Sequence, residues 1–283
     1  MRALSGKARL AGVIGWPISH SRSPRLHGFW LDELGIDGAY LPFAVRPERL
    51  AASLDALALL GLRGINVTLP HKERVLALCS EVTPSARRIG AVNTIRFTED
   101  GAVRGSNTDG FGFIENLRAA LPAWRAEVGP AVLLGAGGAA RALAVALAEA
   151  GAPEIRLANR TASRAARLVE ELGPPLRLVE WGARGDALDG AALLVNGTVL
   201  GMAGQPPLEL DLARLPRHAV VNDIVYVPIE TALLAAARAR GNPVVDGLGM
   251  LLHQARPGFS AWFEREPSVS AALRDFVFAD LAR

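Results

Sequence analysis

Apolar runs too short to be helices alternate with stretches of helical periodicity along the first hundred-odd residues, the rhythm of successive βα units. Ala8 to Gly15 predicts a strand. Ser23 as N-cap and Pro24 at the first helical position then open a helix to Gly35, with Leu26, Trp30, Leu31 and Leu34 on its apolar side. Tyr40 to Val45 predicts a second strand, Pro47 to Leu60 a helix closed by Gly61, Gly64 to Thr68 a third strand, and Pro70 the start of a further helix. Asn93 to Phe97 and Val103 to Ser106 flank Glu99-Asp100-Gly101 as a hairpin, and Asp109 caps a helix that reaches Leu121.

Beyond a linker from Pro122 to Pro130 the pattern becomes that of a parallel, doubly wound sheet. Strands are predicted at Ala131 to Leu134, Ile155 to Ala158, Leu176 to Val179, Ala192 to Asn196, Ala219 to Ile224 and Pro243 to Val245. An alanine-rich helix follows the first of them, and further helices are expected at Thr161 to Leu172 and Ile229 to Arg240. From Leu248 to Glu264 and from Val269 to Ala282 the signal is purely helical, which suits a return of the chain to its first part. The expected architecture is α/β in two domains: one over 1–113, completed by C-terminal helices at 249–283, and one over 114–248. Such a plan places an active site in the cleft between them.

Composition narrows the function classes. With half its residues apolar and 21% charged, the chain can bury sizeable cores and is not disordered. A net charge of +3 with scattered arginines offers no basic stripe, so neither nucleic acid nor a membrane is an expected partner. The single cysteine, Cys79, rules out an intrachain disulfide and suits a reducing compartment, and its setting in Leu76-Ala77-Leu78-Cys79 favours a buried helix position. No zinc pattern occurs, and no metal is expected. Met1 to Trp16 lacks an apolar core of signal-peptide length, which points to the cytoplasm, and glycines, Arg141 and Glu149 interrupt the apolar segment Ala131 to Ala150.

A glycine-rich motif is informative only between a strand and a helix, and Gly135-Ala136-Gly137-Gly138-Ala139-Ala140 stands there. Gly135 permits the tight turn, Gly137 lets backbone approach a pyrophosphate, and Gly138 removes another Cβ from a helix start whose N–H groups favour anions. The carboxylate that would bind an NAD ribose belongs at the end of the next strand, roughly twenty residues on. The chain there reads Ala158-Asn159-Arg160-Thr161-Ala162-Ser163-Arg164. Two guanidinium groups four residues apart can share one helix face and grip a 2′-phosphate, which predicts NADP.

Only two of the thirty-one basic residues, Lys7 and Lys72, are lysines; the rest are arginines, which keep their proton at any pH a protein survives. If an amine moves protons here, Lys72 is nearly the forced candidate. Other polar clusters stand at the ends of predicted elements: Ser21 and Ser23, Thr68, Asn93-Thr94, and Asn107-Thr108-Asp109. Hydroxyls, amides, one amine and one carboxylate suit a small polyhydroxylated acid, although each cluster alone has a capping or turn explanation.

In order, these segments resemble the shikimate dehydrogenase family. The resemblance is carried by Gly15-Trp16-Pro17-Ile18-Ser19-His20-Ser21-Arg22-Ser23-Pro24, Asn66-Val67-Thr68-Leu69-Pro70-His71-Lys72, Gly90-Ala91-Val92-Asn93-Thr94, Asn107-Thr108-Asp109-Gly110, Gly135 to Ala140, Asn159-Arg160-Thr161 and Asp246-Gly247-Leu248-Gly249-Met250-Leu251, spanning nearly the whole chain. It implies a substrate-binding catalytic first domain, a Rossmann-type NADP-binding second domain, and reversible NADPH-dependent reduction of 3-dehydroshikimate to shikimate in aromatic amino-acid biosynthesis. It further implies that Ser21 and Ser23 bind the substrate carboxylate, that Thr68, Lys72, Asn93, Asp109 and Gln254 hold ring oxygens, and that Lys72 and Asp109 form the catalytic pair. Tyr226 would add a substrate contact. Gly135, Ala136, Gly137, Gly138, Ala139, Asn159, Arg160, Thr161, Arg164, Ile224 and Gly247 would line the cofactor. The fold serves both monomers and homodimers.

Asn196-Gly197-Thr198-Val199 departs from the family in having glycine and valine where a small residue and a second hydroxyl are usual, and Val227 stands where a longer polar residue is common. His20 and His71 receive no proton-transfer role from the resemblance. Two rivals remain: a quinate or quinate/shikimate dehydrogenase, often preferring NAD, and a non-catalytic sensor of shikimate-like ligands. The Arg160–Arg164 pair argues against the first, and retention of Lys72 and Asp109 against the second. Arg160→Ala is expected to raise the KM for NADP far more than that for NAD in parallel steady-state assays; an equal change in both would remove the 2′-phosphate assignment.

Overall fold

The computed structural model describes residues 3–281, with side chains described through 279. The chain forms two compact units: one runs to Thr108 and resumes at Gln254, and the other is Asp109–His253. The breaks expected after 113 and 248 therefore fall within helices or beside one, and the Asp109 and Leu248–His253 stretches lie in the second unit.

The first unit opens with β1 (Arg9–Gly15), α1 (Ser23–Glu33) and β2 (Gly38–Ala44). A 3₁₀ turn at Pro47–Arg49 leads into α2 (Leu50–Leu59), followed by β3 (Gly64–Val67), β4 (Glu81–Val82), α3 (Pro84–Ile89), β5 (Thr94–Phe97) and β6 (Val103–Ser106). The sheet order is β2-β1-β3-β5-β6-β4, parallel between β1, β2 and β3 and antiparallel through the β5–β6 hairpin. β4 and α3 are too short to show in the hydrophobic pattern. One sheet face carries Ile14, Ile65, Val67 and Ile95 against Leu50, Leu54 and Leu57 of α2.

Three local expectations are corrected. The residue before α1 is Arg22, without a side-chain cap, and Ser23 is already helical; the Ser23 N–H donates to Ser21 Oγ at 3.3 Å. No α-helix begins at Pro70, because the Lys72 carbonyl accepts from Val92 N at 2.8 Å and is thereby spent on a tertiary bond rather than on residue 76. A 3₁₀ segment, Arg74–Leu78, follows instead, and Cys79 lies half-buried at its end rather than inside a helix. Burial pushes the Cys79 thiol up to about 11, so it is a packing group.

The opposite face of this sheet is aromatic. It is covered by α1 and by α8 (Leu248–Phe263), whose second part belongs to this unit, and the chain closes with α9 (Ala271–Leu281). Ala282, the expected last residue of that helix, lies outside the described residues. Trp30 Nε1 donates to Ser268 O at 2.8 Å and Trp262 Nε1 to Ile95 O at 2.9 Å, so both buried indoles are satisfied. Trp262 comes this close because residue 64 is glycine: a Cβ there would lie 2.1 Å from the indole nitrogen. His27 is fully buried among these rings, stacked on Tyr40 at 4.0 Å between centroids and 5° between planes.

The second unit comprises α4 (Asp109–Ala120), β7 (Ala131–Leu134), α5 (Gly138–Glu149), β8 (Ile155–Ala158), α6 (Ala162–Leu172), β9 (Leu176–Val179), β10 (Leu193–Asn196), β11 (Val220–Asp223), α7 (Ala232–Ala239) and β12 (Val244–Val245). The start of α8 also belongs to it. All six strands are parallel in the order β12-β11-β10-β7-β8-β9. The order reverses at the β7–β10 boundary, the switch point where such sheets bind ligands at the carboxyl ends of the strands. β7 and β10 are buried along their whole length, which explains their uninterrupted apolar runs. Asp109 is the first helical residue of α4 rather than the residue preceding it.

Burial pushes the His27 imidazole down to about 3, with the Asn66 side chain offsetting part of the effect, and neither ring nitrogen has a well-formed hydrogen bond. The folded state thus binds this proton less readily than the unfolded chain, whose histidine titrates near 6.5. The stability contribution is fully present above pH of about 6.5 and is lost as pH falls towards about 3. In urea unfolding across that window, His27→Phe, which keeps an aromatic ring against Tyr40, is expected to flatten the acid limb; an unchanged slope would show that His27 does not carry it.

Candidate active site

In the first unit, adjacency of strands places the sequence clusters. β1 and β3 are neighbours, so the loops leaving their carboxyl ends run side by side: Trp16 N donates to Leu69 O at 3.0 Å and Thr68 N to Ile14 O at 3.0 Å. Gly15 allows that approach, because a Cβ there would stand 2.6 Å from Thr68 Cγ2. The first loop carries Ser21 and Ser23, the second Thr68 and Lys72, and all four are partly exposed. His71 is fully buried, its Nε2 donating to the Val45 carbonyl at 2.7 Å and so tying a third strand end to this group, whereas His20 is exposed.

Asn93 is held by several hydrogen bonds. It follows α3 and precedes β5, antiparallel to β3. Its Oδ1 accepts from Thr94 Oγ1 at 2.8 Å, Thr108 N at 2.9 Å and Thr108 Oγ1 at 3.2 Å, which fixes the amide so that Nδ2 donates to Gln254 Oε1 at 3.3 Å. Gln254, on α8, is thereby brought to Asn93. Asn66 supports the cluster from below: its Nδ2 donates to Asn93 O and to Thr94 Oγ1, both at 3.1 Å, and its Oδ1 accepts from Tyr40 OH at 2.6 Å. The Tyr40 hydroxyl, whose pKa burial raises well above the usual phenol range, also lies within hydrogen-bonding reach of Ser23. Tyr40 and Asn66 were not singled out from sequence; the signal was a lone amide inside the buried run Gly64–Val67.

The second unit carries the glycine-rich turn. Gly135, just after β7, has φ +112°, which disfavours any side chain, and a Cβ there would lie 2.9 Å from Gly197 O. At Gly137 and Gly138 an added Cβ would meet no protein atom within 4 Å, so these glycines relieve no internal packing; they keep the approach to the start of α5 bare. Ala136 and Ala139 are partly exposed beside them. After β8, Asn159 Nδ2 donates to Thr161 O at 2.9 Å, shaping the turn from which α6 starts, and Arg160, Thr161 and Arg164 are exposed there. Arg141 and Arg167, by contrast, are both taken up by Glu171. Glycines that clear a helix start, followed by two exposed guanidinium groups and no carboxylate at the strand end, fit a dinucleotide with a 2′-phosphate.

Ile224, Tyr226 and Gly247 leave the ends of β11 and β12. Gly247 is buried with its backbone against Ile224, since a Cβ would lie 2.3 Å from Ile224 O. Asp109, at the start of α4, is nearly buried at 9% exposure. Farther along that helix, Asn116 Nδ2 donates to Asp246 O at 2.7 Å, and Gly249 leaves room for the Asn116 amide.

A polar set of strand ends in one α/β unit, joined in the same chain to a doubly wound unit with a bare glycine turn, is the plan of a dinucleotide-dependent dehydrogenase. Comparison with known proteins specifies which. Residues 13–95 match the family model described as shikimate dehydrogenase substrate binding domain, and residues 124–195 match that described as shikimate / quinate 5-dehydrogenase. The chain is 62% identical over 276 residues to shikimate dehydrogenase (NADP(+)) of Paramagnetospirillum magneticum, covering 98% of this chain and 100% of that protein. Among solved structures, shikimate 5-dehydrogenase from Thermus thermophilus in complex with NADP(H) and shikimate superposes with a TM-score of 0.83 at 38% identity, covering 97% of this chain and 99% of that one. Quinate dehydrogenase from Corynebacterium glutamicum in complex with NAD gives 0.88 at 33% identity, covering 96% and 99%. The chain belongs to the shikimate dehydrogenase family.

Replacing Asn93 by Ala would strip the Thr108 backbone N–H of its buried acceptor and remove the Asn93 bond to Gln254. A loss of about 1–3 kcal/mol in stability is expected, with a raised KM for substrate, checked by urea unfolding and steady-state kinetics; a variant matching the parent in both would contradict the geometry.

Proposed function

We propose that this chain catalyses the reversible, NADPH-dependent reduction of 3-dehydroshikimate to shikimate, a step of chorismate and hence aromatic amino-acid biosynthesis. The observation that carries the reading is 62% identity, over nearly the whole chain, to a shikimate dehydrogenase named for NADP(+). The exposed Arg160 and Arg164 after β8 favour the phosphorylated cofactor over NAD, against the quinate dehydrogenase alternative. The single cysteine fits a cytoplasmic enzyme, and among the described residues no helix is long and apolar enough to cross a membrane. The assembly is a monomer or a homodimer.

NADPH, when bound, supplies the hydride that goes to C3 of the substrate. The chain's own residues manage charge and the proton. Ser21 and Ser23 hold the carboxylate end of the substrate, and Thr68, Asn93 and Gln254 orient the ring hydroxyls. As hydride reaches C3, the carbonyl π pair moves onto oxygen, and Lys72 both stabilises that charge and delivers its ammonium proton to the oxygen. In the oxidation direction the neutral amine takes the proton back. Asp109, the other member of the catalytic pair, accepts a hydrogen bond from the substrate. On the cofactor side, Gly135, Ala136, Gly137, Gly138 and Ala139 leave backbone for the pyrophosphate, Asn159, Arg160, Thr161 and Arg164 take the adenosine phosphate, and Ile224 and Gly247 meet the nicotinamide, with Tyr226 reaching towards substrate.

Lys72→Ala is expected to lower kcat for shikimate oxidation by about 10²–10⁴ while leaving NADP binding intact by calorimetry. Lys72→Arg, which keeps charge without a transferable proton, is expected to recover substrate affinity but not kcat. Near-normal turnover in either variant would remove Lys72 from proton transfer, and NADP binding without shikimate turnover in the parent would favour the sensor alternative.

A further inference from the structure

Asp223 is the last residue of β11, fully buried, and outside the functional roles assigned above. Its carboxylate is saturated by neutral donors from three directions. Oδ1 accepts from Asn196 Nδ2 at 2.9 Å and from Val225 N at 3.0 Å, and Oδ2 accepts from Thr231 Oγ1 at 2.7 Å. Each donor belongs to a different piece of backbone. Asn196 ends the neighbouring strand β10 and organises the turn after it: Nδ2 also donates to Leu200 O, while Oδ1 accepts from Thr198 N and Thr198 Oγ1. Thr231 caps α7, accepting from Leu234 N. Val225 lies between Ile224 and Tyr226. Ile224 N also donates to Asn196 O at 3.1 Å, and Ala203 N to Val227 O at 2.8 Å, so the two loops are joined on both sides of the carboxylate.

Burying a carboxylate without a cation raises its pKa, and burial does so here against the three hydrogen bonds that favour the charged form. An apolar residue in a run as hydrophobic as Val220-Val221-Asn222-Asp223-Ile224-Val225 would avoid that cost, so the packing of this strand does not call for an acid. What an acid alone provides is three acceptor sites at one point, at the carboxyl end of the sheet.

We propose that Asp223 is a positioning residue that locks the loops after β10 and β11 to the start of α7, and through the Val225 amide holds Ile224 and Tyr226 in the geometry needed for hydride transfer. This rests on the function proposed above, since it is that reading which sets Ile224 towards the nicotinamide and Tyr226 towards substrate. The adenosine grip lies on other elements, α5 and α6, and does not pass through this carboxylate.

Asp223→Asn keeps the shape but weakens the charge-assisted bonds. Hydrogen exchange of the 224–230 segment is expected to rise about fivefold or more, and kcat for shikimate to fall about tenfold. Exchange over 155–172 and the dissociation constant for NADP⁺, measured by calorimetry, should stay within about twofold. Thr231→Val should move the same readouts in the same direction, and Thr231→Ser should restore them; this pair decides the matter if Asp223→Asn does not fold. Parental exchange at 224–230 together with parental kcat would overturn the proposal, as would acceleration spread evenly through 109–253, which would make Asp223 a general stabiliser. A parent protein with no shikimate activity would instead refute the proposed function, and the exchange measurements would still decide whether Asp223 locks the loops.

Discussion

Buried amides and acids at strand ends have few ways to be satisfied, and that scarcity is what the structure depends on. Asn93 Oδ1 is committed to Thr94 and Thr108, which turns its Nδ2 towards Gln254. Asn66 is committed to Tyr40, Thr94 and the Asn93 carbonyl, and it fixes the backbone from which Asn93 projects. The last turn of each strand is therefore held by side chains as well as by the ladder, and the residues that follow inherit a defined starting point. In the second unit similar bonding recurs at the ends of β10 and β11 around Asp223, whereas the ends of β7 and β8 carry a bare glycine turn and a pair of exposed arginines.

On the function proposed above, the two units recognise ligands of different chemistry. A small polyhydroxylated acid offers few atoms and no large apolar face, so discrimination falls to hydroxyls, amides and one amine held at fixed angles. A dinucleotide offers phosphates, and a helix start with its N–H groups bound to no side chain suits them without a dedicated cage. Quinate dehydrogenase from Corynebacterium glutamicum, solved with NAD, has the same fold at a TM-score of 0.88, so the architecture itself does not choose between cofactors or between related acids. On the function proposed above, the choice falls to a handful of side chains such as Arg160 and Arg164.

Much of the fold was legible in the pattern: β7, buried along its whole length, gives an unbroken apolar run, β8 and the edge strand β9 each interrupt theirs with one arginine, and all three stand where the sequence places them. The errors at Pro70 and Ser23 come from hydrogen bonds that hydrophobic periodicity does not show, one long-range and one local. Pro70 looks like a helix start until the Lys72 carbonyl is found bonded to Val92 N, and Ser23 looks like a cap until Ser21 is seen accepting its N–H. β4 and α3, two and six residues long, fall below the length at which periodicity speaks. Among candidate site residues, those to which a motif gives a role could be named beforehand, whereas Tyr40 and Asp223, and Asn66 and Asn196 although they stand in quoted motifs, received no role, because a polar residue in or at the end of an apolar run gives no hint of its partners. The side chains that touch ligand and those that hold them in place are thus unequally visible in a sequence.

The bonded indoles of the first unit have a spectroscopic consequence. Of five tryptophans, Trp16, Trp30 and Trp262 belong to the first unit, and Trp124 and Trp181 to the second. Trp30 and Trp262 are almost wholly shielded from water, and each donates its N–H to a backbone carbonyl, while Trp16 is 42% exposed. Intrinsic emission from the native protein is accordingly weighted towards blue-shifted light from the aromatic face beneath α1 and α8. A red shift on titration with denaturant would record the opening of that face through two fully shielded indoles, and loss of order confined to the second unit would be seen chiefly through Trp124, which is 8% exposed.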